Sequence, residues 1–123
     1  MRRFLCIGFV LLISSPLVSQ SDNTESTGND LLPKCNSAVR LMNDRNAQGV
    51  STFDVGYCIG IISGVNDLLA GLHQIDNPDG STKGQYIRVV TKYLNDHPEE
   101  LSERDSVLVI KALKAAFPPK AQN

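Results

Sequence analysis

The chain has 123 residues, with twelve lysines and arginines against thirteen aspartates and glutamates and a formal net charge of −1. That near-neutral balance, without a basic face, argues against nucleic-acid binding. The length allows one domain with a modest core, for which a crosslink is a common supplement.

Arg2 and Arg3 precede the apolar run Phe4 to Ile13, followed by Pro16 and by Ser19 and Ser21 around Gln20. This is the layout of a secretory signal peptide. Residues 1–21 are read as the leader, with cleavage after Ser21 or, alternatively, Ser19. The run is too short to cross a hydrocarbon layer of about 30 Å, and no later stretch is continuously apolar, so no membrane span is expected after cleavage. Cys6 lies near the start of the apolar run and is not a lipid-attachment cysteine. Cleavage leaves ten basic against thirteen acidic residues and two cysteines, Cys35 and Cys58. Export to an oxidising compartment makes a disulfide between them the default. Two thiols and the scattered His73 and His97 do not make a zinc site, and no metal or cofactor is expected.

Residues 22–28 are polar and are expected to form a disordered lead-in. Leu31, Leu32, Cys35, Ala38, Val39 and Met42 then recur at helical spacing. Asn29 or Asp30 is the expected cap of this first helix, with Pro33 tolerable only in the first turn. Asn43 to Val50 reads as a polar loop, after which Ser51 or Thr52 caps the longest apolar stretch, Phe53 to Leu72. This should be the central, mostly buried helix. Gly56, Gly60 and Gly64 sit four apart on one side of it, each costing roughly 1 kcal/mol relative to alanine. Close approach of another helix would offset that cost, first within the chain and second across a dimer seam.

Leu72 to Lys83 reads as a polar loop, and Thr82 as the cap of a third helix marked by Tyr86, Val89, Val90, Tyr93 and Leu94. His97-Pro98 ends that helix near Asp96. Ser102 and Asp105 resemble a capping box for a last helix reaching about Ala116, with Arg104, Lys111 and Lys114 on its wet face and Ile110, Leu113 and Phe117 turned inward. Pro118 and Pro119 stop it, so the helical domain spans residues 29–118 and residues 119–123 form a tail. The expected fold is an all-α compact single domain of four to five helices with one disulfide.

No serine sits in a nucleophile-elbow setting, and paired cysteines are not nucleophiles. His73 and His97 read as surface or helix-capping residues. Asp54 complements the helix dipole, and Asp67 reads as a buried-edge hydrogen-bond acceptor beside Asn66. The expectation is a binding protein and no enzyme.

Gly28 to Leu32 with Cys35, and Tyr57-Cys58 through Val65, are followed in order by Pro78, Gly80, Thr82, Gln85, Val89-Val90, Tyr93-Leu94, His97-Pro98-Glu99, Leu113, Ala116 and Phe117-Pro118. This ordered set resembles the Rap/Tai family of type VI secretion immunity proteins over residues 28–118. The resemblance implies a helical protein of the Gram-negative periplasm, often a homodimer, that binds a cognate peptidoglycan amidase effector and occludes the cleft of that papain-like cysteine enzyme. Many relatives carry two more cysteines at the places held here by Asp76 and Pro119, which leaves the Leu72 to Lys83 loop with the weaker expected tether to the C-terminus. Loop residues Gln74, Asp76, Asn77, Asp79 and Lys83 are the first candidates for partner contact, because a loop between rigid helices can enter a cleft. Asn43, Asp44, Arg45 and Gln48 are the second. The competing readings are a periplasmic acid-stress chaperone triggered by its acidic loops and His97, and an envelope protein of the same fold without a toxin partner.

Overall fold

The structure, a computed structural model, describes residues 24–121. The expected leader, its cleavage near Ser21 and Cys6 all lie outside the described residues.

Thr27 opens the first helix, α1 (Gly28–Asn43). Its amide donates to the Asp30 carboxylate at 2.9 Å, so Asp30 stands at the third helical position. The cap is therefore Thr27, ahead of the expected Asn29 or Asp30. Pro33 in turn lies in the second turn, where its ring removes a helical N–H. The early start has a tertiary cause. The first amides of a helix lack partners within it, and here Gly28 donates to the Glu103 carbonyl at 3.0 Å and Asn29 to the Leu101 carbonyl at 2.9 Å. Asp105 returns a bond to the Ser26 carbonyl at 3.0 Å. Residues 26–28, expected within a disordered lead-in, are thus fixed against the segment before the last helix.

The same exchange overrides the expected Ser102–Asp105 box. The last helix, α4 (Asp105–Ala116), has Arg104 at its cap position with no side-chain cap bond. Asp105, only 7 % exposed, instead accepts from the Tyr57 hydroxyl at 2.5 Å, which ties α4 to α2. Gly28 is required at this junction: a Cβ there would lie 2.4 Å from Leu108 Cδ1 and 3.0 Å from the Leu101 Cα.

The two middle helices begin where their local chemistry points. In α2 (Thr52–Gly71) the Ser51 hydroxyl accepts from the Asp54 amide at 3.3 Å. In α3 (Lys83–Asp96) Thr82 and Gln85 form a reciprocal capping box, closed by a 2.7 Å bond from the Thr82 amide to the Gln85 side chain. His97-Pro98 stops α3 and starts a single 3-10 turn, Pro98–Glu100. The described residues form no strand, and the four helices close around a core that includes Leu31, Ile62, Leu94, Leu108 and Leu113. Cys35 and Cys58, both fully buried, are bonded to each other and join α1 to α2.

Two expectations for α2 are corrected. A Cβ built on Gly56, Gly60 or Gly64 meets nothing within 4 Å, so none of the described residues packs on the glycine stripe. Asn66, four residues after Ile62 and three before Leu69, is the buried polar residue, whereas Asp67 falls one step round the helix among the exposed glycines. By length and composition alone α2 is long and apolar enough to cross a membrane, although Asp54, Asn66 and Asp67 interrupt its apolar run. Here its inner side packs on the other three helices.

Gly28→Ala is expected to destabilise the fold by about 1–3 kcal/mol through overpacking, while Gly56→Ala, facing open space, does not destabilise it; chemical denaturation checks both. Reducing the disulfide is expected to remove about 3 kcal/mol on the loop-entropy model, read as a clear fall in melting temperature.

Candidate functional site

The loop of residues 72–82 leaves α2 through His73, which takes a positive φ of 55° so that Gln74 can bond back to the Leu69 carbonyl at 2.8 Å. The chain then runs against the C-terminus. Asp76 donates its amide to the Phe117 carbonyl at 3.1 Å, and its carboxylate pairs with Lys120 at 3.3 Å. Gln74 accepts from Lys114 at 2.9 Å. The loop expected to have the weaker tether is therefore held to the C-terminal segment by hydrogen bonds and an ion pair.

Beyond Asp76 the chain turns outward. Ser81 donates its amide to the Pro78 carbonyl at 3.1 Å, with Gly80 at φ 78°, a conformation that suits glycine. This turn, with Gln85, Arg88 and Val89 of α3 and with Phe117, walls a groove of about 370 Å³. Val89 and Phe117 supply apolar wall, the Tyr86 and Phe117 rings meet edge to face at 5.6 Å, and Asp79 and Arg88 contribute opposite charges.

Arg88 joins this groove to the other loop. Its guanidinium donates to the Asn43 side chain at 2.9 Å, so the last residue of α1 meets α3 beside the groove. Beyond it, Asp44 accepts from the Asn46 amide at 2.9 Å, and Arg40 holds the Gln48 carbonyl at 3.1 Å. The candidate residues thus divide. Asp79 lines the groove; Asn43 is adjacent through Arg88; Gln74 and Asp76 hold the loop in place. Asn77 is half-buried, with its Oδ1 enclosed and without a hydrogen-bond partner among the described residues. Lys83 is the first residue of α3, outside the loop, and Arg45 borders a separate cleft between α1 and α2 with Met42 and Ile59. Sequence reasoning missed Gln85, Arg88, Val89 and Phe117 as site residues.

Neither described histidine hydrogen-bonds to a serine, threonine or cysteine among the described residues. His97 instead contacts Glu99 at 3.1 Å and stacks on Tyr93 with ring centroids 4.2 Å apart. Its neighbour Glu100 accepts from Lys111 at 3.2 Å and from the Tyr93 hydroxyl at 3.0 Å. His97, Glu99 and Glu100 are close enough to share a cation, but the ammonium of Lys111 already holds Glu100.

These contacts set the acid response. The Lys111 hydrogen bond, then that of Tyr93, holds the Glu100 carboxyl below its ordinary value of 4.5, and the Thr27 amide holds Asp30 below 3.8. Groups with lowered values stabilise the fold above their unfolded-state pKa, and that contribution is lost as pH falls through the folded-state value.

A family model described as Rap1a immunity proteins matches residues 27–119. No curated protein matches the chain.

The contribution of Asp30 and Glu100 is expected to stay intact down to pH 5 and to fade below about pH 4. Lys111→Met should shrink that acid loss in a melting-temperature series, and a hydrophobic dye should stay dark at pH 5; brightening there would favour the chaperone reading.

Proposed function

We propose, because this chain belongs to the Rap1a immunity protein family, that it is the periplasmic antidote to a type VI secretion effector that cleaves peptidoglycan. Family membership implies binding of a cognate effector protein. In the finer reading that effector is a cysteine amidase, the immunity protein is exported by its leader, and its working form is a homodimer. Neutralisation is steric: the 78–81 turn and the Arg88 corner sit over the enzyme's cleft, and the peptide stem cannot reach the thiolate.

The observation that carries this reading is the groove itself. A loop of this length is ordinarily mobile, but this one is pinned to α4 and the C-terminus by Gln74 and Asp76, so its outer turn is presented in one shape. Pre-organisation of that kind lowers the ordering cost of binding. The apolar wall of Val89 and Phe117, ringed by Asp79, Gln85 and Arg88, has the make-up of an interface centre with a polar rim.

The test is capture with residues 22–123 as bait against envelope and secreted proteins of the source cell, followed by assay of the captured protein on peptidoglycan. A hydrolase retained in stoichiometric amount and inactivated supports the proposal; retention of unfolded clients alone, or of a hydrolase that stays active, contradicts it. Within the complex, Arg88→Glu is expected to weaken binding by about tenfold or more, about 1.4 kcal/mol, with the helical circular-dichroism signal unchanged.

A further inference from the structure

The groove beside the 78–81 turn holds an acid and a base that do not meet. Asp79 and Arg88 both line it, yet among the described residues no ion pair joins them and the Asp79 carboxylate accepts no hydrogen bond. Each is placed by a separate device. Asp79 sits in a turn closed twice on the Pro78 carbonyl, by the Ser81 amide at 3.1 Å and by the Ser81 hydroxyl at 2.6 Å. Arg88 is drawn towards α1 by its 2.9 Å bond to the Asn43 side chain, an uncharged acceptor.

Asn43 reaches Arg88 because of how the two helices meet. A Cβ added to Gly84 would lie 3.4 Å from Met42 Sδ, so the last turn of α1 rests against the first turn of α3. Arg88 follows one helical turn after Gly84 on the same side of α3. A guanidinium carries several N–H donors in a rigid fork. Asn43 takes one of them, and the side chain makes no other hydrogen bond among the described residues.

We propose that the groove is a one-way slot for an amphoteric segment of the effector, an apolar side chain flanked by an acid for Arg88 and a base for Asp79, and that Asn43 is the positioning residue that keeps Arg88 available to that acid. The inference deepens the immunity reading and rests on it. Its support is charge complementarity over the apolar wall of Val89 and Phe117. A segment of a single charge sign would meet one attractive and one repulsive group. An uncharged segment would strip water from both charges without replacing it. An amphoteric segment satisfies both, and turning it round would set like charges together, so the pair also fixes the direction of docking. Were Asp79 and Arg88 bonded to each other, an occupant would first have to separate them. Asn43 holds Arg88 without neutralising it, and the slot stays open to both halves of such a segment.

The experiment measures the affinity of residues 22–123 for the captured hydrolase in Asp79→Asn, Arg88→Gln, Asn43→Leu and the Asn43→Leu/Arg88→Gln double variant. All three side chains are exposed, so the helical circular-dichroism signal should be unchanged throughout. Asp79→Asn and Arg88→Gln are each expected to weaken binding by about tenfold, and Asn43→Leu by about fivefold. Arg88→Gln should cost less in the Asn43→Leu background than alone, because the two residues act through one contact. If no hydrolase is captured, the immunity reading fails and the slot with it. If the hydrolase binds and neither charge variant weakens it, the slot alone is overturned. A loss with only one of the two charge variants overturns the amphoteric segment. No cost from Asn43→Leu, or a cost that simply adds to that of Arg88→Gln, overturns the positioning role. The soluble peptide stem of peptidoglycan is amphoteric as well; if it binds the chain alone, and binds Asp79→Asn less well, the stem is the occupant and the proposal is overturned.

Discussion

The Cys35–Cys58 bond holds α1 and α2 together at a place where neither side chain sees solvent. In a domain of this size the hydrophobic core leaves little margin, and a crosslink between consecutive helices removes the main alternative arrangements of the first half of the chain. The second half is then built onto that pair. Tyr57, next to the bonded cysteine, reaches Asp105 at the head of α4, and the start of α1 exchanges backbone hydrogen bonds with residues 101–105. The ends of the bundle are therefore fixed by contacts that converge on the crosslinked helices.

The parts of this architecture legible in the sequence are those decided within three or four residues. Ser51 and Thr82 announce their helices because a hydroxyl three residues before an amide is enough to cap it. His97-Pro98 ends α3 because proline restricts the residue before it. The errors arise where a distant segment takes over a local role. Thr27 caps α1 earlier than Asn29 because residues 101–103 supply carbonyls to its amides, and Ser102 is not a cap because Ser26, from the other end of the chain, bonds Asp105. Asp67 lies outside and Asn66 inside because adjacent residues differ by about 100° around a helix, and the buried direction depends on where α1, α3 and α4 pack. The cysteine pair was legible from its count alone.

The site follows the same division. The 78–81 turn could be read from Pro78, Asp79 and Gly80, and Asp79 does line the groove. Arg88, Val89 and Phe117 come from two further elements, and only their packing makes them neighbours. The missing second pair of cysteines suggested a looser loop, yet a backbone bond to Phe117 and ion pairing with Lys120 occupy the same junction. The loop is held there by polar contacts, so its stiffness depends on bonds that solvent and partner can compete for.

Hydrogen exchange on residues 22–123, alone and with the captured hydrolase, locates the surface that meets the effector directly. Slowed exchange on binding should concentrate in the 78–81 turn and in α3 around Arg88, while amides of α2 between Phe53 and Leu68 change little. Protection centred on α2, with the groove unaffected, would contradict the assignment of the groove as the surface that meets the effector.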